Sequence, residues 1–401
     1  MPKYTRTRCI FEGRKSRVYL AGNQTGREVI LKQLRKLYPG ADSVARFTRE
    51  FEITRSAAGP NVIEAYDFQV ADGTVYIVLE DFGAVSVASV LAERKSPLPL
   101  NQSLRIAIQV ADGLAHIHRR HIIHKDVNPS NIVWNTTTGL VKLIDFGISQ
   151  VLDRARISAS PLLHLAGTPA YLSPEQTGRM NRDLDSRSDL YSLGVTLYEL
   201  ITGRLPFQSK DPLELVHSHI ARVPAAPIEL ADIPSRLSEL VMALLEKRAE
   251  DRYKSAEGVA HDLRSILDAL ESGDSGDVLP VLRERDVDSR LRIPEKLYGR
   301  SEESERLISA FERAAAGGVG VTLVAGYSGV GKTSLVHEVH RPLTARRGII
   351  VEGKFDQLNR GRPYDSLVQA FRSFMKQLAA ETDAGLAEWK EVLLQAVGRN
   401  G

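Results

Sequence analysis

Asp126 and Asn131 stand five residues apart in the run His124-Lys125-Asp126-Val127-Asn128-Pro129-Ser130-Asn131, and Asp145 follows fourteen residues later, ahead of Phe146 and Gly147. A carboxylate, a carboxamide and a second carboxylate in that order suit phosphoryl transfer. Asp126 can accept the proton of an attacking hydroxyl, while Asn131 and Asp145 offer the hard oxygen atoms that magnesium prefers. Such chemistry asks for positioning, a metal clamp and positive charge against phosphate rather than covalent work by the protein. Lys32, which closes an apolar run, supplies that charge, and Glu50 could hold it in place. Glu52 competes for that role, but the run Arg46-Phe47-Thr48-Arg49-Glu50, ten residues before Pro60, favours Glu50. A second phosphate-holding device lies about two hundred residues on, in Gly326-Tyr327-Ser328-Gly329-Val330-Gly331-Lys332-Thr333. Its glycines Gly326, Gly329 and Gly331 would let backbone amides wrap a triphosphate. Lys332 would reach the β- and γ-phosphates, and Thr333 would ligate magnesium. ATP and Mg2+ are the expected ligands of both devices.

These residues need elements to carry them. Arg17-Val18-Tyr19-Leu20 and Glu28-Val29-Ile30-Leu31-Lys32 read as a hairpin around the turn residues 22–26. Val44, Phe47, Phe51 and Ile53 mark a helix over 42–57, and strands are expected at 62–69 and 74–80. Helical periodicity dominates from Asn101 to Leu270, with Leu104 to His118, Asp189 to Thr202 and Leu237 to Leu245 as examples. A small β-rich lobe and a larger helical one imply an α+β arrangement with a cleft between. The polar stretch Glu271 to Asp277 is the best boundary candidate, and a charged connector follows to 297. Beyond it, a helix at 301–315 precedes an apolar strand at 319–325, the glycine-rich loop, a helix at 332–340 and a further strand at 348–352.

Composition agrees with two units, because 401 residues exceed what one hydrophobic core usually serves. The net charge of +3 gives no reason to expect nucleic acid. Cys9 is the sole cysteine, so no intrachain disulfide can form. No apolar run approaches the roughly 20 residues that span a bilayer, and the basic start has no apolar stretch of signal-peptide length. A cytoplasmic protein without a membrane segment is expected.

Over about residues 7–270 the chain resembles the Ser/Thr protein kinase family. The residues that carry the resemblance are the 124–131 run, Asp145-Phe146-Gly147, the Lys32 and Glu50 pair, and two further stretches. Gly167-Thr168-Pro169-Ala170-Tyr171-Leu172-Ser173-Pro174-Glu175 looks like the end of an activation segment, and Ser188 to Val195 like the helix whose aspartate, Asp189, braces the catalytic loop. The resemblance implies that Arg252 pairs with Glu175. It also implies a hinge at Glu80-Asp81-Phe82 behind a gatekeeper Leu79, and a nucleotide site lined by Gly13, Val18, Ile30, Glu80, Phe82 and Val133. Ser158, Ser160 and Thr168 become candidate phosphate acceptors, with Thr168 better suited to orienting Asp126.

The departures concern activity. The glycine-rich loop keeps only Gly13, with Phe11 and Ser16 where glycines are usual. Ile30 narrows the adenine pocket. Lys125 replaces an arginine that would grip a phosphorylated segment bidentately, and Asn128 replaces the lysine that faces the γ-phosphate. Two readings stay open: a slow Ser/Thr protein kinase with Asp126 as base and Asn128 assisting, and a nucleotide-sensing pseudokinase scaffold that gates the ATPase.

Around the second device, Leu297-Tyr298-Gly299-Arg300-Ser301-Glu302 resembles the entry of AAA-like and STAND-class ATPases, and no Walker B acid follows Val351. The expected architecture is an α+β bilobal protein-kinase-like domain at 1–270 (lobes at about 1–82 and 83–270), a linker at 271–297 and a partial α/β P-loop NTPase domain at 298–401. The phrases at 124–134, 173–182, 296–300 and 353–357 are similar to those of large bacterial signalling proteins that join a Ser/Thr kinase, an AAA-type ATPase, and sensor and histidine-kinase modules. That resemblance implies the front portion of a longer chain, with those modules downstream and a protein substrate bearing Ser or Thr.

Overall fold

A computed structural model describes residues 4–13, 16–23, 25–35, 40–71, 73–151, 168–177, 184–209, 211–272, 281–287, 299–327, 330–337, 350–353 and 364–378, with short helical pieces at 389–390 and 393–395. The first lobe is a five-stranded antiparallel sheet in the order β1-β2-β3-β5-β4. Its strands are β1 (Tyr4–Glu12), β2 (Ser16–Asn23), β3 (Glu28–Leu34), β4 (Ala65–Ala71) and β5 (Thr74–Glu80). β2 and β3 form the expected hairpin, with Val18 opposite Lys32 and Leu20 opposite Ile30. Helix α1 (Ala41–Ala57) crosses the sheet and buries Phe47, Glu50 and Ile53. The strand expected at 62–69 starts only at Ala65, because Val62 instead forms isolated bridges to Gly59 and Leu143.

The second lobe is helical. β6 (Val85–Ser86) and α2 (Val87–Arg94) lead into α3 (Leu100–Arg119), whose last turn precedes β7 (Ile122–Ile123). The 124–131 loop then opens a hairpin of β8 (Ile132–Trp134) and β9 (Val141–Leu143), with β10 (Gln150–Val151) paired back on β7. Helices α4 (Arg187–Thr202), α5 (Pro212–Ala221), α6 (Ser235–Leu244) and α7 (Ala256–Ser272) complete the lobe. α4 is buried along nearly its whole length. At Gly194 a Cβ would come within 2.6 Å of the Leu244 Cβ, so the missing side chain sets how closely α4 and α6 pack. One apolar cluster runs from Ile53 on α1 through α3, the β8–β9 hairpin and α4 to Leu267, and so ties the lobes together.

Residues 281–287 belong to this packing. Asp286 is 7% exposed and accepts the Lys254 and Ser255 N–H groups, at 2.8 and 2.9 Å, just before α7. Negative charge there also suits the helix N-terminus. The Arg283 guanidinium lies 4.9 Å from the centre of the Tyr253 ring, and Leu282 packs on the main cluster.

Among the described residues, the helices α8 (Ser301–Ala315), α9 (Lys332–His337) and α10 (Asp365–Leu378) follow. The strand expected at 319–325 does not form, and Val319, Val321 and Leu323 are 101, 98 and 89% exposed. A lone apolar run becomes a strand only beside a hydrogen-bonded neighbour, and none is found among the described residues. The run expected at 348–352 is described from 350 on, and carries no strand there.

The most buried ion pair of the helical lobe among the described residues joins Arg252 to Glu175, at 2.7 and 2.9 Å in bidentate geometry. Their side chains are 0 and 5% exposed. Burial alone would raise the Glu175 pKa, but Arg252 and the Ser188 hydroxyl outweigh it and hold it below the usual carboxylate range. Removing one partner strands the other charge away from water. Arg252→Ala is therefore expected to cost about 3–5 kcal/mol of stability, read from urea unfolding of the whole chain; a loss under about 1 kcal/mol would mean that the pair contributes no more than a surface one.

Candidate functional site

Directly opposed residues of an antiparallel pair share a face, as do residues two apart on one strand. Val18, Ile30 and Lys32 therefore lie on the same face of the first-lobe sheet, with Leu79 opposite Ile30 on that face. α1 lies so that the Lys32 ammonium sits 2.5 Å from Glu50 Oε1 and 2.9 Å from Asp145 Oδ1. Glu50, rather than Glu52, is the partner. Burial alone would lower the Lys32 pKa, but Asp145 and then Glu50 outweigh it, so the amine stays charged well above its ordinary range. Burial raises the Glu50 pKa against the opposing pull of Lys32. Burial would also raise that of Asp145, yet Lys32 and the Gly147 N–H bring it below the ordinary value. The Asp145 side chain remains 41% exposed, open to an incoming cation.

In the helical lobe, Asp189 holds the 124–131 loop. Its carboxylate is 0% exposed and accepts the N–H groups of His124 and Lys125, at 2.9 and 2.8 Å, and pairs with the His118 ring at 2.8 Å. Lys125 takes φ 71°, a left-handed backbone that this grip stabilises. Asp126 projects next. Asn131 Nδ2 donates to Asp126 Oδ2 at 2.9 Å, and the Asn131 carbonyl accepts the Ile144 N–H at 2.9 Å. One residue thus links Asp126 to the strand that leads into Asp145.

Asn128 stands beside Asp126. Facing the γ-phosphate was the role of the lysine it replaces, yet Asn128 is 1% exposed and turned inward. Its Nδ2 donates to Asp126 Oδ1 at 3.0 Å and lies 3.3 Å from Thr168 Oγ1, while its Oδ1 caps the Ser130 N–H at 2.9 Å. The Thr168 N–H also reaches Asp126 Oδ1, at 3.0 Å. A buried carboxamide cannot carry charge to a phosphate, but it can fix a carboxylate.

At the back of the cleft, the Glu80 side chain is already engaged: its Oε1 takes the Lys142 ammonium at 2.5 Å and the Glu64 N–H at 2.8 Å. Its backbone N–H donates to the Glu64 carbonyl at 3.0 Å. The Phe82 carbonyl accepts from Asn135 at 2.5 Å, and Val133 pairs with Ser86 just beyond. Lys142 and Asn135 are thus hinge supports that the sequence reading passed over. A lysine between Val141 and Leu143 in an apolar strand was the available signal. Gly13 closes the β1–β2 turn by donating to the Ser16 carbonyl at 2.9 Å, and the Phe11 ring lies where a Cβ at 13 would be, 2.8 Å away.

These residues fit magnesium-bound ATP in the donor set they offer: an ammonium held by two carboxylates, one of them partly exposed, and the Asn131 carboxamide. No group of three His, Cys, Asp or Glu side chains that could hold a metal exists among the described residues. A magnesium that also takes phosphate and water oxygens needs fewer protein ligands than that.

The second device is separate. Gly331 takes φ 88° and opens α9, and the Lys332 ammonium folds back onto the Gly326 and Tyr327 carbonyls at 2.8 and 2.7 Å. Thr333 is exposed, and Gly329 lies outside the described residues. Ser158 and Ser160 lie outside them too.

Comparison with known proteins separates the same two parts. The protein kinase domain family matches residues 4–263, and the AAA ATPase domain family matches residues 296–401. Hybrid signal transduction histidine kinase G of Dictyostelium discoideum is 37% identical over 395 residues, covering 77% of this chain and 11% of that protein. Serine/threonine-protein kinase PrkC of Bacillus subtilis is 31% identical over 271 residues, covering 67% of this chain and 41% of that protein. The chain thus spans well under half the length of these relatives. The solved kinase domain of Mycobacterium tuberculosis PknI, a double mutant, superposes with a TM-score of 0.51 at 25% identity, covering 65% of this chain and 95% of that one. Among the described residues, no helix is long and apolar enough to cross a membrane.

The brace on Asp126 can be tested by itself. Asn128→Ala removes hydrogen bonds to a charged acceptor, worth about 1.5–3 kcal/mol, so the transfer rate should fall roughly tenfold to a hundredfold at little cost in KM for ATP. Steady-state kinetics checks this, and an unchanged kcat would refute the bracing role.

Proposed function

The chain belongs to the protein kinase family over residues 4–263, and from that membership we propose that it transfers phosphate from ATP to Ser or Thr of a protein, joined to a P-loop nucleotide module. The observation that carries this reading is the Lys32 ammonium between Glu50 and Asp145, at 2.5 and 2.9 Å. That arrangement aims fixed positive charge into the cleft that Asp126 borders. Lys32 would bind the phosphates; Asn131 and Asp145 would hold magnesium, which when bound screens the charge of the triphosphate. The backbone at Glu80 and Phe82, with Val18, Ile30 and Val133, would receive the adenine ring. Asp126 Oδ1 and Oδ2 are each oriented by a carboxamide, which sets the carboxylate to take the acceptor hydroxyl's proton as the new bond forms.

On the same reading, Gly326, Gly329, Gly331, Lys332 and Thr333 hold a second nucleotide in the part matched by the AAA ATPase family. The chain divides at 271–297, and Ser158 and Ser160 are the candidate acceptors within the chain itself. The likeness to a hybrid signal transduction histidine kinase supports a role in signal transduction, in one chain with histidine-kinase modules.

The competing reading, a nucleotide-sensing pseudokinase scaffold, draws on Phe11 at the glycine-rich loop, where its ring crowds Gly13. Phosphate incorporation from γ-labelled ATP decides between them. Asp126→Asn should lower it by about 10²–10⁴-fold while ATP still binds, and equal incorporation by variant and parent would leave the scaffold reading standing.

A further inference from the structure

The protein kinase family match ends at residue 263, yet residues 281–287 return to the helical lobe and grip the run 251–255, which contains Arg252. Arg283 donates through Nη2 to the Asp251 carbonyl at 2.9 Å, and its guanidinium stacks on the Tyr253 ring. Its backbone N–H donates to Asp262 Oδ2 at 2.7 Å, the same oxygen that accepts the Tyr253 hydroxyl at 2.7 Å. Asp286 takes the next two N–H groups, those of Lys254 and Ser255, and also the Ser255 hydroxyl at 3.1 Å. Residues on both sides of Arg252 are thus bonded to one short segment.

The segment is held under constraint. Arg283 takes φ 68°, a left-handed backbone that a residue with a Cβ keeps only where its surroundings over-determine it. The Asp286 N–H closes the turn on the Arg283 carbonyl at 3.2 Å. Two carboxylates hold the contact, Asp262 from α7 and Asp286 from the segment, and they are 1 and 7% exposed. A buried carboxylate that loses its donors is costly, so each favours the docked arrangement. Gly258, in the first turn of α7, makes the room: a Cβ there would stand 2.7 Å from Asp286 Oδ1.

Arg252 in turn grips Glu175 with both arms of its guanidinium, and the next residue, Gln176, donates to the Lys125 carbonyl at 2.7 Å. The same stretch of chain begins at Thr168, whose N–H binds Asp126 at 3.0 Å. We propose that residues 281–287 are a strap that completes the folded unit matched by the kinase family. Asp286 and Arg283 are positioning residues for the 168–177 segment, acting through the backbone on either side of Arg252. The proposal rests on the kinase reading for its catalytic consequence, but not for the docking itself.

The test uses the whole chain with Asp286→Ala, Asp286→Asn and Gly258→Ala, and follows amide hydrogen exchange without nucleotide or acceptor. In Asp286→Ala the Lys254 and Ser255 amides should exchange about tenfold faster, as loss of a hydrogen bond to a charged acceptor gives. The Arg252 and Gln176 amides should follow them, while those of Leu143 and Ile144 keep their rates. Asp286→Asn, whose side-chain oxygen still accepts, should recover part of the loss. Gly258→Ala discriminates by sign. Alanine favours an isolated helix over glycine, so an undocked segment predicts slower exchange at 254 and 255, and the strap predicts faster. With myelin basic protein as acceptor, kcat/KM for the acceptor should fall by about three- to tenfold in Asp286→Ala, with KM for ATP unchanged. Exchange that quickens at 254 and 255 but not at 176, or constants for ATP and acceptor that worsen together, overturns the positioning role. Slower exchange in Gly258→Ala overturns the docking. A parent chain that labels no acceptor while the exchange changes persist would sink the kinase reading and leave the strap standing.

Discussion

A carboxylate without access to water sets the geometry on which everything else rests. Asp189 takes two consecutive backbone N–H groups, those of His124 and Lys125, and a ring nitrogen of His118. Two adjacent amides can point at one carboxylate only if the chain turns sharply, and Lys125 pays the conformational penalty at φ 71°. A side chain with a Cβ resists that region by about 1–3 kcal/mol, so the turn persists because Asp189 over-determines it. The Lys125 carbonyl is held from the other side by Gln176, at 2.7 Å. Because the turn is fixed at both ends, Asp126 leaves it in one direction, and Asn131, Asn128 and Thr168 then need only short reaches to clamp it. The electrostatics follow from the same rigidity: Lys32 can serve two carboxylates only because the elements that carry them are packed by one apolar cluster.

Much of this was legible in the residues. The interval between Asn131 and Asp145 is that of a short hairpin, and β8 and β9 fill it. Lys32 and Glu50 could be matched because a strand-end cation and a helix carboxylate fit only one order of elements. Asp189 and Arg252 with Glu175 were named through resemblance, and the distances agree. What could not be read was the direction of a side chain. Asn128 looked like a lost charge because substitution reports what is absent, whereas its burial shows a brace. Nor could the partner of the Glu80 carboxylate be read: Lys142 holds it, and no spacing rule links residues 62 positions apart in sequence. The run at 319–325 failed for a different reason. An apolar run states that a segment would be buried as a strand, but pairing depends on neighbours, and those are not beside it among the described residues.

The two departures from kinase pattern that bear on rate now have different weights. Phe11 sits on a loop whose backbone would need to approach phosphate, so its effect falls on nucleotide binding. On the proposed reading Asn128 acts on the proton acceptor, Asp126, instead, and no cation stands at position 128 itself. On that reading the positive charge near the phosphates would fall to Lys32 and to bound metal. Such a centre orients its base well and neutralises phosphate less fully, which predicts a deficit in the chemical step rather than in acceptor recognition.

The connector between the two nucleotide devices is shortened by its own packing. Asp286 closes over the start of α7, where Gly258 leaves no side chain to displace it: a Cβ there would stand 2.8 Å from the Asp286 Cα. Arg283 stacks on Tyr253, next to the Arg252 that holds Glu175. Only residues 288–298 separate this anchor from Gly299, a length of at most about 40 Å when fully extended. A displacement of the second part that exceeds this reach must pull on Asp286. The strain would then arrive at the helix end beside the Arg252–Glu175 pair, which anchors the segment running up to Thr168 and Asp126. The connector therefore joins the part matched by the protein kinase family beside the Arg252–Glu175 pair rather than at Lys32 or Asp145.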